Sequence, residues 1–233
     1  LKQSRLDHLR FNCSIFTNLS RDHLDYHKNY KDYFKSKLKL FKNLTKKNSV
    51  AIFDNDLPTS KILKKICNIK KLKTKTIGKK NSDLNINKIS YFKDFQFVKF
   101  DYKKKNYSIN LKLVGKLQIK NILMACLAAE CSGLKFSKII KNIHKIKPVE
   151  GRMEQIKKIK NGSKVILDFA HTPDAMKSSL ENLKEQYPLN NLNIVFGCGG
   201  NRDKAKRPLM GKIANKYCEK VYITDDNPRN EIP

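Results

Sequence analysis

From residue 154 onward, short apolar runs alternate with helix-length stretches. KVILDFA (164–170) precedes a helical stretch from about 174. LNIVFG (192–197) precedes another from about 206, and KVYIT (220–224) follows. This order argues an α/β fold with a parallel, doubly wound sheet, because parallel strands need a crossover between them. In such a sheet, ligands collect outside the carboxyl ends of the strands. Only three such strands precede Pro233, where a doubly wound sheet wants more, so a C-terminal portion is expected to be missing.

The earlier part of the chain reads differently. CSIFTNL (13–19) and SVAIF (49–53) read as strands, and 21–41 reads mostly as helix. LPTSKILKKIC (57–67) reads as helix with Pro58 near its start. Short alternating segments between 73 and 113 read as strands, several of them antiparallel. Two helices follow, at 117–134, stopped near Gly133, and at 137–146. KPVEGRME (147–154) then breaks the pattern with Pro148 and Gly151, which places a domain boundary there: 1–148 and 149–233. The first residues lack an initiator Met and an apolar leader core, so the chain is expected to begin inside a longer reading frame.

The formal net charge is +29. Lysines are spread along the whole chain, without the regular aromatic interleaving of a base-stacking platform. They read as solvated faces and loops, and a nucleic-acid partner is not expected. No run approaches the ~20 apolar residues that cross a bilayer, so no membrane partner is expected either. Six scattered cysteines include no C-x-x-C pair, which reads as reduced, cytosolic thiols and not as a disulfide frame or zinc site.

Several stretches carry chemistry. NLSRDHLDYH (18–27) follows a strand directly. Its His23, with Asp22, Asp25 and His27, can supply metal ligands, or Asp22 can cap a helix while the histidines pack or face solvent. GRME (151–154) puts Arg152 at the domain junction, where an Arg either reaches a phosphate or stays on the surface. ILDFAHTPDA (166–175) ends a strand in Asp168 and His171 and opens a helix with Thr172-Pro173. FGCGGNRDKAKRP (196–208) has the glycines and cations of a phosphate cradle but matches neither G-x-x-x-x-G-K-[ST] nor G-x-G-x-x-G. TDDNPRN (224–230) closes a strand with Asp226, Asn227 and Arg229, a set of acid, amide and planar cation that suits a zwitterionic amino acid.

Together, FTNLSRDHLDYH, GRME, DFAHTPDA, VFGCGGNRDKAKRPLMG and TDDNPR resemble the Mur ligase family in order and spacing. Within it, they are most similar to members that add meso-diaminopimelate to UDP-N-acetylmuramoyl-L-alanyl-D-glutamate. The resemblance implies the later part of a central ATP-binding domain (1–148), then the start of a Rossmann-like C-terminal domain (149–233). It implies ATP and Mg²⁺ as cofactors and a role in peptidoglycan synthesis. The family's G-T-N-G-K-T phosphate loop is expected upstream, so residues 1–233 alone are expected to be inactive. A lysine-adding or folylpolyglutamate-type relative is the alternative acceptor class, which D-N-P-R speaks against.

Residue by residue, the resemblance makes His23 a Mg²⁺ ligand and Lys37 the lysine that family members carry as a carbamate. Fourteen residues span roughly 21 Å of straight helix, so His23 and Lys37 share a metal only if the chain folds back between them, and a break is expected near His27 to Asn29. Gln3 and Arg5 match contacts to the UDP-muramoyl-dipeptide. Asn121, Asp168 and His171 fall on the nucleotide side, and Arg152 reaches ATP. Arg202, Asp226, Asn227, Pro228 and Arg229 match the diaminopimelate side, with Arg229 as clamp for the distal carboxylate.

Overall fold

The structure, a computed structural model, describes residues 1–19 and 26–232. These divide into two compact units: 1–19 with 29–147, and 148–232 with 26–28.

The first unit is built on six strands: β1 (Phe11–Phe16), β2 (Thr45–Asp54), β3 (Lys73–Gly78), β4 (Leu84–Tyr91), β5 (Gln96–Tyr102) and β6 (Lys105–Leu111). They lie in that order; β1 to β4 are parallel, and β5 and β6 add on as antiparallel ribbons. β2 shows why a parallel strand reads as a continuous apolar run. Its Ile52 joins one core, with Ile77, Val98, Phe100, Leu123 and Leu127. Its Ala51 and Phe53 join the other, with Phe16, Leu38, Phe41 and Leu63. Period-two alternation sends successive side chains to opposite faces. The helices α3 (Lys116–Cys131) and α4 (Phe136–Asn142) supply the first core, α1 (Tyr30–Lys39) and α2 (Ser60–Ile69) the second.

Local signals set the helix ends. Asn29 is extended (φ −166°, ψ 174°), and its side chain accepts from the Asp32 N–H at 3.0 Å, so α1 starts at Tyr30. Residues 26–29 are therefore non-helical, which is where a break was expected, and the helical reading of 21–41 holds from Tyr30; residues 20–25 lie outside the described residues. A π-helical turn, Leu40–Leu44, ends α1 and buries Phe41 and Leu44. α3 sits between Gly115 and Gly133, both at positive φ (89° and 97°), conformations that favour glycine.

The second unit contains β7 (Glu154–Lys158), β8 (Lys164–Leu167), α5 (Pro173–Gln186), β9 (Asn193–Phe196), α6 (Lys206–Tyr217) and β10 (Lys220–Ile223). The expectation of three parallel strands is corrected here. Among the described residues of this unit, only β9 and β10 pair in parallel, whereas β8 pairs antiparallel with β7. The sequence reading missed β7, which follows directly on the GRME loop. A tight turn closes the hairpin: Gly162 takes φ 87°, and Ile159 N–H donates to the Ser163 carbonyl at 2.8 Å. Thr172 caps α5 by accepting from Ala175 N–H at 3.3 Å, with Pro173 in its first turn. Met176 and Leu180 of α5 pack with Met210 and Ala214 of α6 against Ile194 and Phe196.

Candidate active site

Two loops leave the carboxyl ends of β9 and β10 and interlock. Thr224 N–H donates to the Phe196 carbonyl at 3.1 Å, and Gly200 N–H donates to Asn227 at 3.1 Å. Arg229 Nη1 donates to the Gly200 carbonyl at 2.6 Å. The glycines allow this approach. A Cβ on Gly197 would lie 2.4 Å from the Thr224 carbonyl oxygen, and one on Gly200 only 1.8 Å from that of Pro228. The glycine-rich stretch thus serves close packing of the two loops.

A cavity of about 290 Å³ opens beside these loops. Phe196, Gly200, Arg207, Asp226, Pro228 and Glu231 are among its walls. Glu231 fastens it: it accepts from Asn201 N–H at 2.7 Å and from Arg207 Nη2 at 2.7 Å, with Lys204 3.6 Å away. The Arg207 guanidinium, aided by Asn201, holds the Glu231 carboxyl below its ordinary value. Asp226 and Pro228 line the cavity, while Asn227 and Arg229 brace its loops. Arg202 is exposed on the same glycine loop.

Elsewhere in this unit, the loops after Gly151 and after β8 are tied together. Phe169 N–H donates to the Gly151 carbonyl at 2.8 Å, and the Arg152 guanidinium lies 5.6 Å over the Phe169 ring. Asp168 accepts from the Ser179 hydroxyl of α5. His171 Nδ1 is 3.1 Å from the Phe169 carbonyl oxygen, and Lys206 donates to the His171 carbonyl at 2.9 Å. Arg152, Asp168 and His171 therefore belong to one polar neighbourhood around Phe169.

In the first unit, Lys37 donates to the Asn18 carbonyl at 3.1 Å and lies 4.8 Å over the Tyr33 ring. Asn121 is exposed on α3, and Gln3 and Arg5 are exposed on the N-terminal turns. At the carboxyl end of β2 stands a group that the sequence reading did not single out: buried Asp54, with Asp56 and Lys120 of α3. Its trace in the sequence is the acidic pair in FDND, directly after an apolar strand. At the opposite, amino ends of β1 to β3, a cavity of about 660 Å³ is lined by Arg10, Lys42, Lys46, Lys47, Lys70 and Lys71 and by no carboxylate. Part of the charge that read as dispersed is gathered there, without an aromatic wall.

Comparison with known proteins is decisive. The Mur ligase middle domain profile matches residues 1–129, and the profile of the Mur ligase glutamate ligase domain matches 151–233. The chain belongs to the Mur ligase family. A UDP-N-acetylmuramoyl-L-alanyl-D-glutamate--2,6-diaminopimelate ligase of Rickettsia montanensis is 40% identical over 100% of this chain and 48% of its own length. The same-named ligase of Chelativorans sp. (strain BNC1) is 36% identical, again over 48% of its length. A solved structure of a ligase of that name superposes with a TM-score of 0.70 at 31% identity, covering 100% of this chain and 47% of the other. A Thermotoga maritima MurF ligase solved with ADP superposes at 0.74 and 18% identity, covering 94% and 50%, which shows a shared fold. The chain spans about half the length of the curated relatives it matches.

Not every site the Mur ligase resemblance implies is assembled here. His23 lies outside the described residues. Among the described residues no group of three or more His, Cys, Asp or Glu can hold a metal. An ammonium at Lys37 would repel a divalent cation, whereas a carbamate there would attract one. No helix among them is long and apolar enough to cross a membrane.

Proposed function

We propose that this chain carries the acceptor half of an ATP-dependent amide-bond ligase that joins meso-diaminopimelate to UDP-N-acetylmuramoyl-L-alanyl-D-glutamate. ATP phosphorylates the D-glutamate carboxylate, giving an acyl phosphate and ADP. The diaminopimelate amine attacks the acyl carbon, and phosphate leaves from the tetrahedral intermediate as the amide forms and the amine proton is lost. Positioning and charge neutralisation carry most of such a reaction.

One observation carries the acceptor reading. The glycine loop and the D-N-P-R loop meet around one cavity at the strand ends, with guanidinium and carboxylate groups in or beside its wall. That pairing of signs suits a zwitterion. Arg202 and Arg229 are the candidates for its carboxylates, and Asp226 for its ammonium group. Arg229 in D-N-P-R is assigned the distal carboxylate, which lysine lacks. A site built for that group rejects the analogue without it, because the guanidinium then lacks its carboxylate partner. The names of the relatives support the same substrates. Arg152, Asp168, His171 and Asn121 are assigned to the nucleotide, and Gln3 and Arg5 to the UDP-muramoyl-dipeptide. Domain limits of 1–148 and 149–233 follow the same reading. Mg²⁺ belongs to it through His23 and Lys37 once Lys37 has taken up CO₂ as a carbamate, with loss of a proton, which reverses its charge.

The test is phosphate release by the full-length protein with ATP, Mg²⁺ and the UDP-muramoyl-dipeptide, comparing meso-diaminopimelate with L-lysine. Release with diaminopimelate alone is expected, and Arg229→Lys is expected to narrow the preference by at least tenfold, or about 1.4 kcal/mol. Release with lysine alone would overturn the acceptor assignment.

A further inference from the structure

Asp54 ends β2 with only 2% of its surface exposed. A carboxylate so placed needs a charge partner. Lys120, the fifth residue of α3, donates to Asp54 and, at 3.2 Å, to Asp56. Its own side chain is 15% exposed. The other Asp54 oxygen accepts from Asp56 N–H at 2.9 Å, and Asp56 Oδ1 accepts from Lys79 N–H at 3.1 Å. One ammonium therefore joins α3 to the end of β2, and Asp56 carries the link on to Lys79, just after β3. A Cβ at Gly78 would lie 2.9 Å from Asp56 Oδ1 and 2.5 Å from Ser82 Oγ, so those side-chain ends would have to shift.

Apolar packing already holds α3, whose Ile119, Leu123 and Leu127 are fully buried. A buried ion pair adds little stability over apolar residues of the same size. What it adds is geometry. The ammonium meets both carboxylates only when α3 sits at one height and one rotation against the sheet. The next residue is Asn121, on the exposed side of the same turn.

We propose that Lys120 is a positioning residue for the nucleotide: its bridge to Asp54 and Asp56 sets the first turns of α3 and so aims Asn121. This rests on the assignment of Asn121 to the nucleotide made above. The full-length protein is compared as wild type, Lys120→Met, Lys120→Arg, and the double variant Asp54→Asn with Lys120→Met. Three quantities are read: ATP binding without acceptor, the KM and kcat for ATP, and the thermal midpoint.

Lys120→Met is expected to weaken ATP binding and raise its KM by about tenfold, with kcat changed far less. Lys120→Arg recovers part of that loss. The double variant removes the stranded carboxylate, so it is expected to regain the thermal midpoint while ATP binding stays weak. That split is what a purely structural role would not produce. Recovery of both together, or unchanged ATP binding in Lys120→Met, overturns the proposal. If Lys120→Met does not fold, the double and Arg variants still decide. Wild type that binds ATP but ignores diaminopimelate sinks the acceptor reading and leaves this one standing. Wild type that does not bind ATP sinks both.

Discussion

The two units spend their residues differently. In the first, the later half of β2 is buried on both faces and its residues join two separate apolar cores. In the second, two four-residue parallel strands carry a single small cluster, and Val195, Tyr222 and Ile223 remain largely exposed. What the second unit holds with most care is its loops, through glycine contacts, Arg229 and the Glu231 clamp. The difference teaches that most of the apolar cohesion lies in the first unit, while the candidate acceptor loops lie in the second. A substitution in the first unit's core should be read in stability, and one in the second unit's interlocked loops in acceptor use.

The most severe test of that division is Phe53→Ala. Phe53 is fully buried, and its loss is expected to cost about 3–5 kcal/mol in urea unfolding. Exposed residues of the second unit offer no such loss, and a small effect at Phe53 would erase the contrast. Next is the polar knot under α3. Burial favours the neutral form of Glu130, yet the Lys103, Lys75 and Tyr102 donors outweigh it and bring the carboxyl down to about 2. A folded value below the ordinary 4.5 means that this stability is fully present above about pH 4.5 and is lost as pH falls toward 2. Glu130→Gln should therefore cost about 2 kcal/mol at neutral pH and flatten the acid limb of the stability curve. An unchanged acid limb would remove Glu130 from the account.

Gly200→Ala probes the second unit. Its Cβ would overlap the Pro228 carbonyl, so the two loops must part. The KM for diaminopimelate in the full-length protein is expected to rise about tenfold, equivalent to about 1.4 kcal/mol, with a smaller change in the KM for ATP. An equal rise in both would blur the division. The smallest effect is expected at Leu189, which is 97% exposed in the loop before β9. Leu189→Ser should stay within about 0.5 kcal/mol of wild type in the same unfolding assay.

Much of this was legible from residues alone. Period-two and helical patterns placed most elements to within a few residues, because burial of alternate side chains in strands and of one face in helices is written into local order. The motifs marked which loops carry chemistry, because polar residues at strand ends are cheap to read. Pairing was less legible. Nothing in KVIL says whether its backbone bonds to β7 or to β9, since any extended segment offers the same N–H and C=O groups; the Gly162 turn made the choice. Nor does the sequence say that these glycines let two loops close on each other. The 1.8 Å gap that a Gly200 Cβ would leave to Pro228 does, because that clearance exists only once β10 has brought the second loop alongside. Asp54 and Lys120, 66 residues apart, likewise meet only through the sheet. The sequence by itself determined the elements, the family and the chemical types at the strand ends. Tertiary structure decided which of those groups face one another, because long-range contact depends on how the sheet is assembled and not on neighbours along the chain.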